Sequence, residues 1–132
     1  MKYFLDTNVI SGIVGKDADT IAIVENEENE FFINRLVYLE SLRAIPLTHK
    51  KLFEQTKKTL EGFENLDIPQ EIYSKSIDFA RFCKSKGLHL GKCEAIDYLH
   101  FMMAMHYGLE IISHDKDMAR FQEKYAEFID NR

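Results

Sequence analysis

The chain has 132 residues and is 45% hydrophobic, enough to bury roughly two-thirds of its unfolded surface around one ordinary core, so one domain over residues 1–132 is expected. A count of 17 Lys+Arg against 22 Asp+Glu leaves a formal charge of −5, which excludes the broad basic face of a duplex-binding protein and makes any nucleic-acid contact local. The acidic balance instead suits a site that gathers carboxylates around a divalent cation.

The first apolar run, Tyr3-Phe4-Leu5, is strand-sized and ends at Asp6. With only Lys2 and three apolar residues ahead of that acid, the opening resembles neither a signal peptide nor a membrane anchor. Helical spacing follows near residues 7–14 and 18–28, then a second strand at Phe31-Phe32-Ile33 and helices near 35–45 and 48–64. Lys50, Lys51, Lys57 and Lys58 make the last of these the most basic stretch, read first as a solvated helix face and second as a contact for RNA phosphates. A weaker strand candidate, Leu66-Asp67-Ile68, precedes a helix near 70–86 that Pro69 opens. The helix near 92–107 is apolar around most of its circumference after Asp97 and is expected to be buried. Gly108 closes it before a strand at Leu109-Glu110-Ile111-Ile112, and a helix near 116–125 and a weak strand at Glu127-Phe128-Ile129 complete the series.

This alternation predicts an α/β fold: a parallel sheet of four to five short strands with helices on both faces. No repeat, low-complexity tract or linker interrupts it. Cys83 and Cys93, ten residues apart, match no Cys-x-x-Cys pair or zinc spacing and read as free intracellular thiols. The most apolar run, Phe101 to Met105, is far too short to span a bilayer, so a cytoplasmic protein without membrane contact is expected.

In open parallel sheets ligands bind beyond the carboxyl ends of the strands, which is where Asp6 and Asp115 fall. Glu40, at about 100° per residue, points between Leu36 on one side and Val37 and Ala44 on the other, towards an apolar face. Asp97 lies in the early turns of the buried helix and shares a face with Glu94. Each acid has a structural explanation of its own. Asp6 and Asp115 suit helix caps, Glu40 can pair with Arg43, and Asp97 sits at a positive helix end. Together they need four separate explanations, whereas one shared metal accounts for all. An oxygen-only donor set without matching His or Cys selects Mg2+ or Mn2+ over zinc.

These residues carry a resemblance to the PIN-domain ribonucleases and, at this size, to the VapC-like toxins of bacterial toxin–antitoxin pairs. Phe4-Leu5-Asp6-Thr7-Asn8-Val9-Ile10-Ser11 resembles the first motif, with Asp6 its metal-binding acid and Asn8 a supporting polar residue. Leu36-Val37-Tyr38-Leu39-Glu40 is similar to the second, with its acid at Glu40. Asp97 and its apolar helix resemble the third, and the stretch from Gly108 to Asp117 the fourth. There Ser113 occupies the Thr/Ser position, Asp115 the principal acid and Asp117 an additional acid. The chain departs from the pattern at His100 and Phe101, where small apolar residues are usual.

The resemblance implies cleavage of single-stranded RNA or RNA loops to 5′-phosphate and 3′-hydroxyl ends. Asp6, Glu40, Asp97 and Asp115 would hold one or two Mg2+ ions, with Asp117 an optional further ligand and Mn2+ able to substitute. It also implies a cognate antitoxin and a homodimer. Specificity would rest on loop shape and scattered basic residues such as Lys16, Arg35, Arg43 and Lys116.

Other patterns carry less. Gly87-Leu88-His89-Leu90-Gly91-Lys92-Cys93 is one residue short of a phosphate-binding loop and lacks the Ser/Thr after Lys. The five histidines show no i, i+4 pair, and only His114, beside Asp115, is placed to touch substrate. An aspartyl-phosphate phosphatase would need a second Asp where Asn8 stands. A PIN-like module kept for binding alone, and a nuclease of RNA maturation or decay, are the remaining alternatives.

Overall fold

A computed structural model describes residues 1–88 and 95–130. Among these residues the elements are β1 (Lys2–Leu5), α1 (Thr7–Val14), α2 (Ala18–Val24), β2 (Glu30–Ile33), α3 (Arg35–Arg43), α4 (Lys50–Glu61), β3 (Glu64–Asn65), α5 (Gln70–Ser85), α6 (Ala95–His106), β4 (Glu110–Ile112) and α7 (Asp117–Asp130). The expected α/β alternation is thus realised as a four-stranded sheet in the order β3-β2-β1-β4, with every pairing parallel. The chain falls into two compact units, one formed by Met1–Asp67 with Leu109–His114 and the other by Ile68–Gly108 with Asp115–Arg132.

The first unit contains the whole sheet. Phe4 and Leu5 of β1 are both fully buried, as befits a central strand with neighbours on both edges. Phe4 pairs with Phe32 on one side and Ile111 on the other. From β1 the chain builds outward through β2 to β3, then returns to add β4 on the opposite edge. The order therefore reverses at β1, and the crevice beyond the carboxyl ends of β1 and β4 is the place where such sheets bind ligands. Beyond the end of β1 the ladder continues for one more bond, from Asp6 N to Ile112 O at 3.0 Å.

Between α1 and α2 the chain turns through Lys16, a non-glycine residue in the left-handed region at φ 60°. That turn ties the start of α2 back to α1, since Asp17 N donates to Gly12 O at 2.8 Å.

The second unit is helical, and its core is aromatic. The fully buried Phe79 of α5 has the rings of Phe101, Phe121, Tyr125 and Phe128 at centroid distances of 5.5, 5.9, 5.7 and 5.5 Å. Leu99 to Ala104 of α6 form an unbroken buried run, which includes His100, Met102 and Met103. Cys83 is a free, buried thiol whose pKa burial pushes up to about 11, so it stays protonated and unreactive near neutrality. Cys93, Glu94 and most of the glycine-lysine loop lie outside the described residues.

Two strand expectations are corrected. Glu127-Phe128-Ile129 is the last turn of α7, which runs on to Asp130 because Phe121 and Phe128 recur at helical spacing and both pack on Phe79. The third strand is Glu64–Asn65 rather than Leu66-Asp67-Ile68, and Leu66 only extends its ladder through a 2.8 Å bond from its N–H to Ile33 O. Among the described residues no helix is long and apolar enough to cross a membrane.

Candidate active site

Asp6 leaves β1 in extended conformation and caps α1, its Oδ1 accepting from Thr7 N at 2.8 Å. Its other oxygen, Oδ2, accepts from the Ser113 hydroxyl at 2.7 Å. Ser113 stands just past the end of β4, so the two strand ends at the point of reversal are joined through this one carboxylate. The side chain is only 4% exposed, and both of these bonds come from neutral donors. A buried carboxylate with spare lone pairs and neutral partners is a strong attractor for a cation.

Asn8, in the first turn of α1, secures the β4 side. Its Nδ2 donates to Ser113 Oγ at 3.2 Å, and its Oδ1 accepts from His114 N at 3.0 Å. Glu40 reaches the same region from α3: Thr7 Oγ1 donates to Glu40 Oε1 at 2.9 Å, so Thr7 links the second acid to Asp6. Glu40 is half-buried. Its helix is fixed by Asn34, a fully buried N-cap whose side chain accepts from Val37 N at 2.9 Å.

The structure therefore brings Asp6, Asn8, Glu40 and Ser113 into one hydrogen-bonded group within the first unit. Asp97 and Asp115 belong to the second unit. Asp97 is half-buried in the first turn of α6, and Asp115 is half-buried with its carbonyl accepting from Met118 N at 3.2 Å. Asp117 is the first residue of α7, and its side chain lies outside the described residues.

Asp6 and Glu40 offer carboxylate oxygens and, among the described residues, the linked group contains no sulfur or imidazole ligand, a set that fits a hard cation such as Mg2+. Among the described residues no three His, Cys, Asp or Glu side chains form a ready-made cage. Mg2+ does not require one, because it keeps several waters and uses one or two carboxylates with substrate phosphate.

Sequence reasoning missed a second group beside this one. Asp17 caps α2, accepting from Thr20 N at 3.1 Å and from Thr20 Oγ1 at 2.6 Å, and Thr20 Oγ1 lies 3.2 Å from His114 Nε2. The Thr20 hydroxyl, then its backbone N–H, hold the Asp17 carboxyl below its ordinary value of 3.8. The cap was visible as Asp followed three residues later by Thr, but its link to a histidine 94 residues away was not.

Comparison with known proteins assigns the chain to a family. The PIN-domain family model matches residues 3–124. The chain belongs to the PIN-domain family. The fold of this PIN domain recurs in solved structures at low identity. A toxin–antitoxin complex from Klebsiella pneumoniae aligns with a TM-score of 0.71 and 19% identity, covering 89% of this chain and 90% of that one. VapBC2 from Rickettsia felis, solved bound to a DNA fragment from their promoter, aligns at 0.71 and 20% identity over 91% and 92% of the two chains. FitAcB from Neisseria gonorrhoeae aligns at 0.65 and 21% identity over 92% and 93%. No curated protein matches this chain in sequence.

Proposed function

We propose that this PIN domain is a Mg2+-dependent endoribonuclease that serves as the VapC-like toxin of a toxin–antitoxin pair. The observation that carries the reading is the buried Asp6 carboxylate, held by Thr7 and Ser113 where the strand order reverses. Asp6 and Glu40 are the proposed metal-binding acids of the first unit. Asp97 and Asp115, with Asp117 as an optional addition, enter the proposal through their motifs. Held by these acids, Mg2+ or Mn2+ would lower the pKa of a water and offset charge on the scissile phosphate.

The chain's own part is positioning. Thr7 N and Ser113 Oγ orient the two oxygens of Asp6, Thr7 Oγ1 orients Glu40, and Asn8 holds Ser113 and the backbone of His114. The toxin role is supported by a structural neighbour that is itself a toxin–antitoxin complex and by the likeness to VapBC2. It includes a cognate antitoxin, a homodimer and action in the cytoplasm.

The test is RNA cleavage by the purified chain with and without Mg2+. Activity is expected to fall to background in folded Asp6→Asn and Asp115→Asn proteins, and full activity in either removes that acid from the site. Expression of the wild-type chain should arrest growth, with relief by its co-expressed antitoxin. Active enzyme without arrest would assign the nuclease to RNA maturation or decay, and RNA binding without cleavage would make it a binding module.

A further inference from the structure

We infer that Asp17 and Thr20 hold His114 in one orientation and one tautomer, so that its Nδ1 serves the proposed nuclease as a hydrogen-bond acceptor for the RNA strand. This rests on the nuclease reading and adds a substrate contact and two positioning residues to it.

Counting donors leads to the tautomer. Asp17, with its pKa lowered by the Thr20 bonds, is a carboxylate near neutrality and has no proton to give. The single Thr20 hydroxyl hydrogen is therefore committed to Asp17 Oδ2 at 2.6 Å. Thr20 Oγ1 can then only accept from His114 Nε2 at 3.2 Å, and Nε2 must carry the hydrogen. Thr20 is 2% exposed, which keeps water from competing for the bond. In the neutral ring the other nitrogen, Nδ1, is left as the acceptor.

The surroundings make room for this arrangement. A Cβ at Gly12 would come within 3.1 Å of both His114 Nε2 and Thr20 Oγ1, so the absence of a side chain there lets the two atoms meet against α1. The His114 backbone is tied separately through its N–H to Asn8 Oδ1 at 3.0 Å. An exposed histidine is thus held at its ring and at its main chain. Capping α2 requires only Asp17 and the Thr20 N–H, so the hydroxyl link to His114 is additional to it. The ring belongs to the residue after Ser113, whose hydroxyl binds Asp6, and so borders the proposed site.

An acceptor nitrogen selects its ligand. Ionised phosphate oxygens offer no hydrogen, so the complementary groups on RNA are the ribose 2′-hydroxyl and the N–H groups of bases. The first would distinguish RNA from DNA and the second would read a base.

Two measurements on the full chain test the inference. In 15N-histidine-labelled protein at about pH 8, where an ordinary imidazole is neutral, His114 should be a single Nε2–H tautomer. Thr20→Val should turn it into a mixture and Thr20→Ser should restore it. A mixture in the wild type, or no change in Thr20→Val, overturns the relay. In Mg2+-supported cleavage of a short single-stranded RNA, His114→Ala should raise KM about three- to tenfold, the size of one hydrogen bond, with kcat changed less than about twofold. Thr20→Val should move KM the same way and Thr20→Ser should recover it. The 2′-deoxy strand of the same sequence, used as a competitive inhibitor, separates the two donors. An inhibition constant unchanged by His114→Ala points to the 2′-hydroxyl, and a parallel rise points to a base. Unchanged KM in an active His114→Ala enzyme sinks this inference alone, whereas a wild-type chain that cleaves no RNA sinks the nuclease reading and this inference with it.

Discussion

At Asp6 the helix cap and the proposed metal ligand are the same side chain, so the two explanations open at the sequence level do not compete. Capping occupies a lone pair of Oδ1 and the Ser113 bond one of Oδ2, which leaves lone pairs on both oxygens. Ser113→Ala tests the second bond. Removing a hydrogen bond to a buried charged group should cost about 1.5–3 kcal/mol of stability, read by urea unfolding. Releasing a proposed ligand from its orienting partner should cost about 10–100-fold in activity or Mg2+ affinity, read by cleavage rates across a Mg2+ titration. Asp17 gives a pH signature of its own. Its folded pKa lies below the ordinary 3.8, so its contribution to stability is fully present above that value and disappears as pH falls through the folded pKa. The stability difference between wild type and Asp17→Ser should therefore be constant near neutrality and shrink below pH 3.8. Because the carboxylate is exposed, added salt should reduce its charge-dependent part. Asp6 was legible because it follows an apolar run, and Glu40 because it points towards the core. Their partners were not, since Thr7 and Glu40 are 33 residues apart and Asp6 and Ser113 are 107 apart. No local pattern records such pairings.

Among the elements, α3 shows how a cap far from the chemistry can govern it. Asn34 is fully buried at the end of β2 and satisfies Val37 N, and the helix it starts carries Glu40. Asn34→Ala should lower stability by about 1–2 kcal/mol, seen as a drop of several degrees in Tm. It should also weaken activity without removing any proposed ligand. The β1, β2 and β4 strands were readable because each has a short apolar run. By contrast β3 is Glu64–Asn65, an exposed polar pair of low strand propensity that only its pairing with β2 makes a strand, so the apolar residues just beyond it drew the assignment. The reverse happened at Glu127-Phe128-Ile129, where aromatic and β-branched residues suggested a strand and packing on Phe79 holds a helix. The α2 helix ends at Val24 rather than 28, the chain turning instead through Asn26 and Asn29, whose bonds include Glu28 N to Asn26 Oδ1 at 3.0 Å.

For the whole molecule, a formal charge of −5 sets the terms on which the proposed RNA substrate would bind. A basic protein gains affinity by displacing many counterions, and its binding collapses as salt rises. Here the exposed cations of the first unit are dispersed, with Lys16 in the α1–α2 turn, Arg35 and Arg43 at opposite ends of α3, and Lys50, Lys51 and Lys58 on α4. Exposed acids on the same elements, Asp19 on α2 and Glu54 and Glu61 on α4, offset part of that charge. From such dispersed cations we expect about two or three phosphates to be neutralised at once. On single-stranded RNA this corresponds to a log–log salt slope of about −1.4 to −2.1, at roughly −0.7 per phosphate. Measured as 1/KM for a short RNA across a monovalent-salt series at fixed Mg2+, a slope in that range is expected. A slope steeper than about −5 would require a continuous basic track and would move recognition away from the Asp6 region. The shallow slope is also what a metal-assisted site predicts, because positive charge supplied by a bound divalent cation at the scissile phosphate replaces Lys and Arg contacts along the strand.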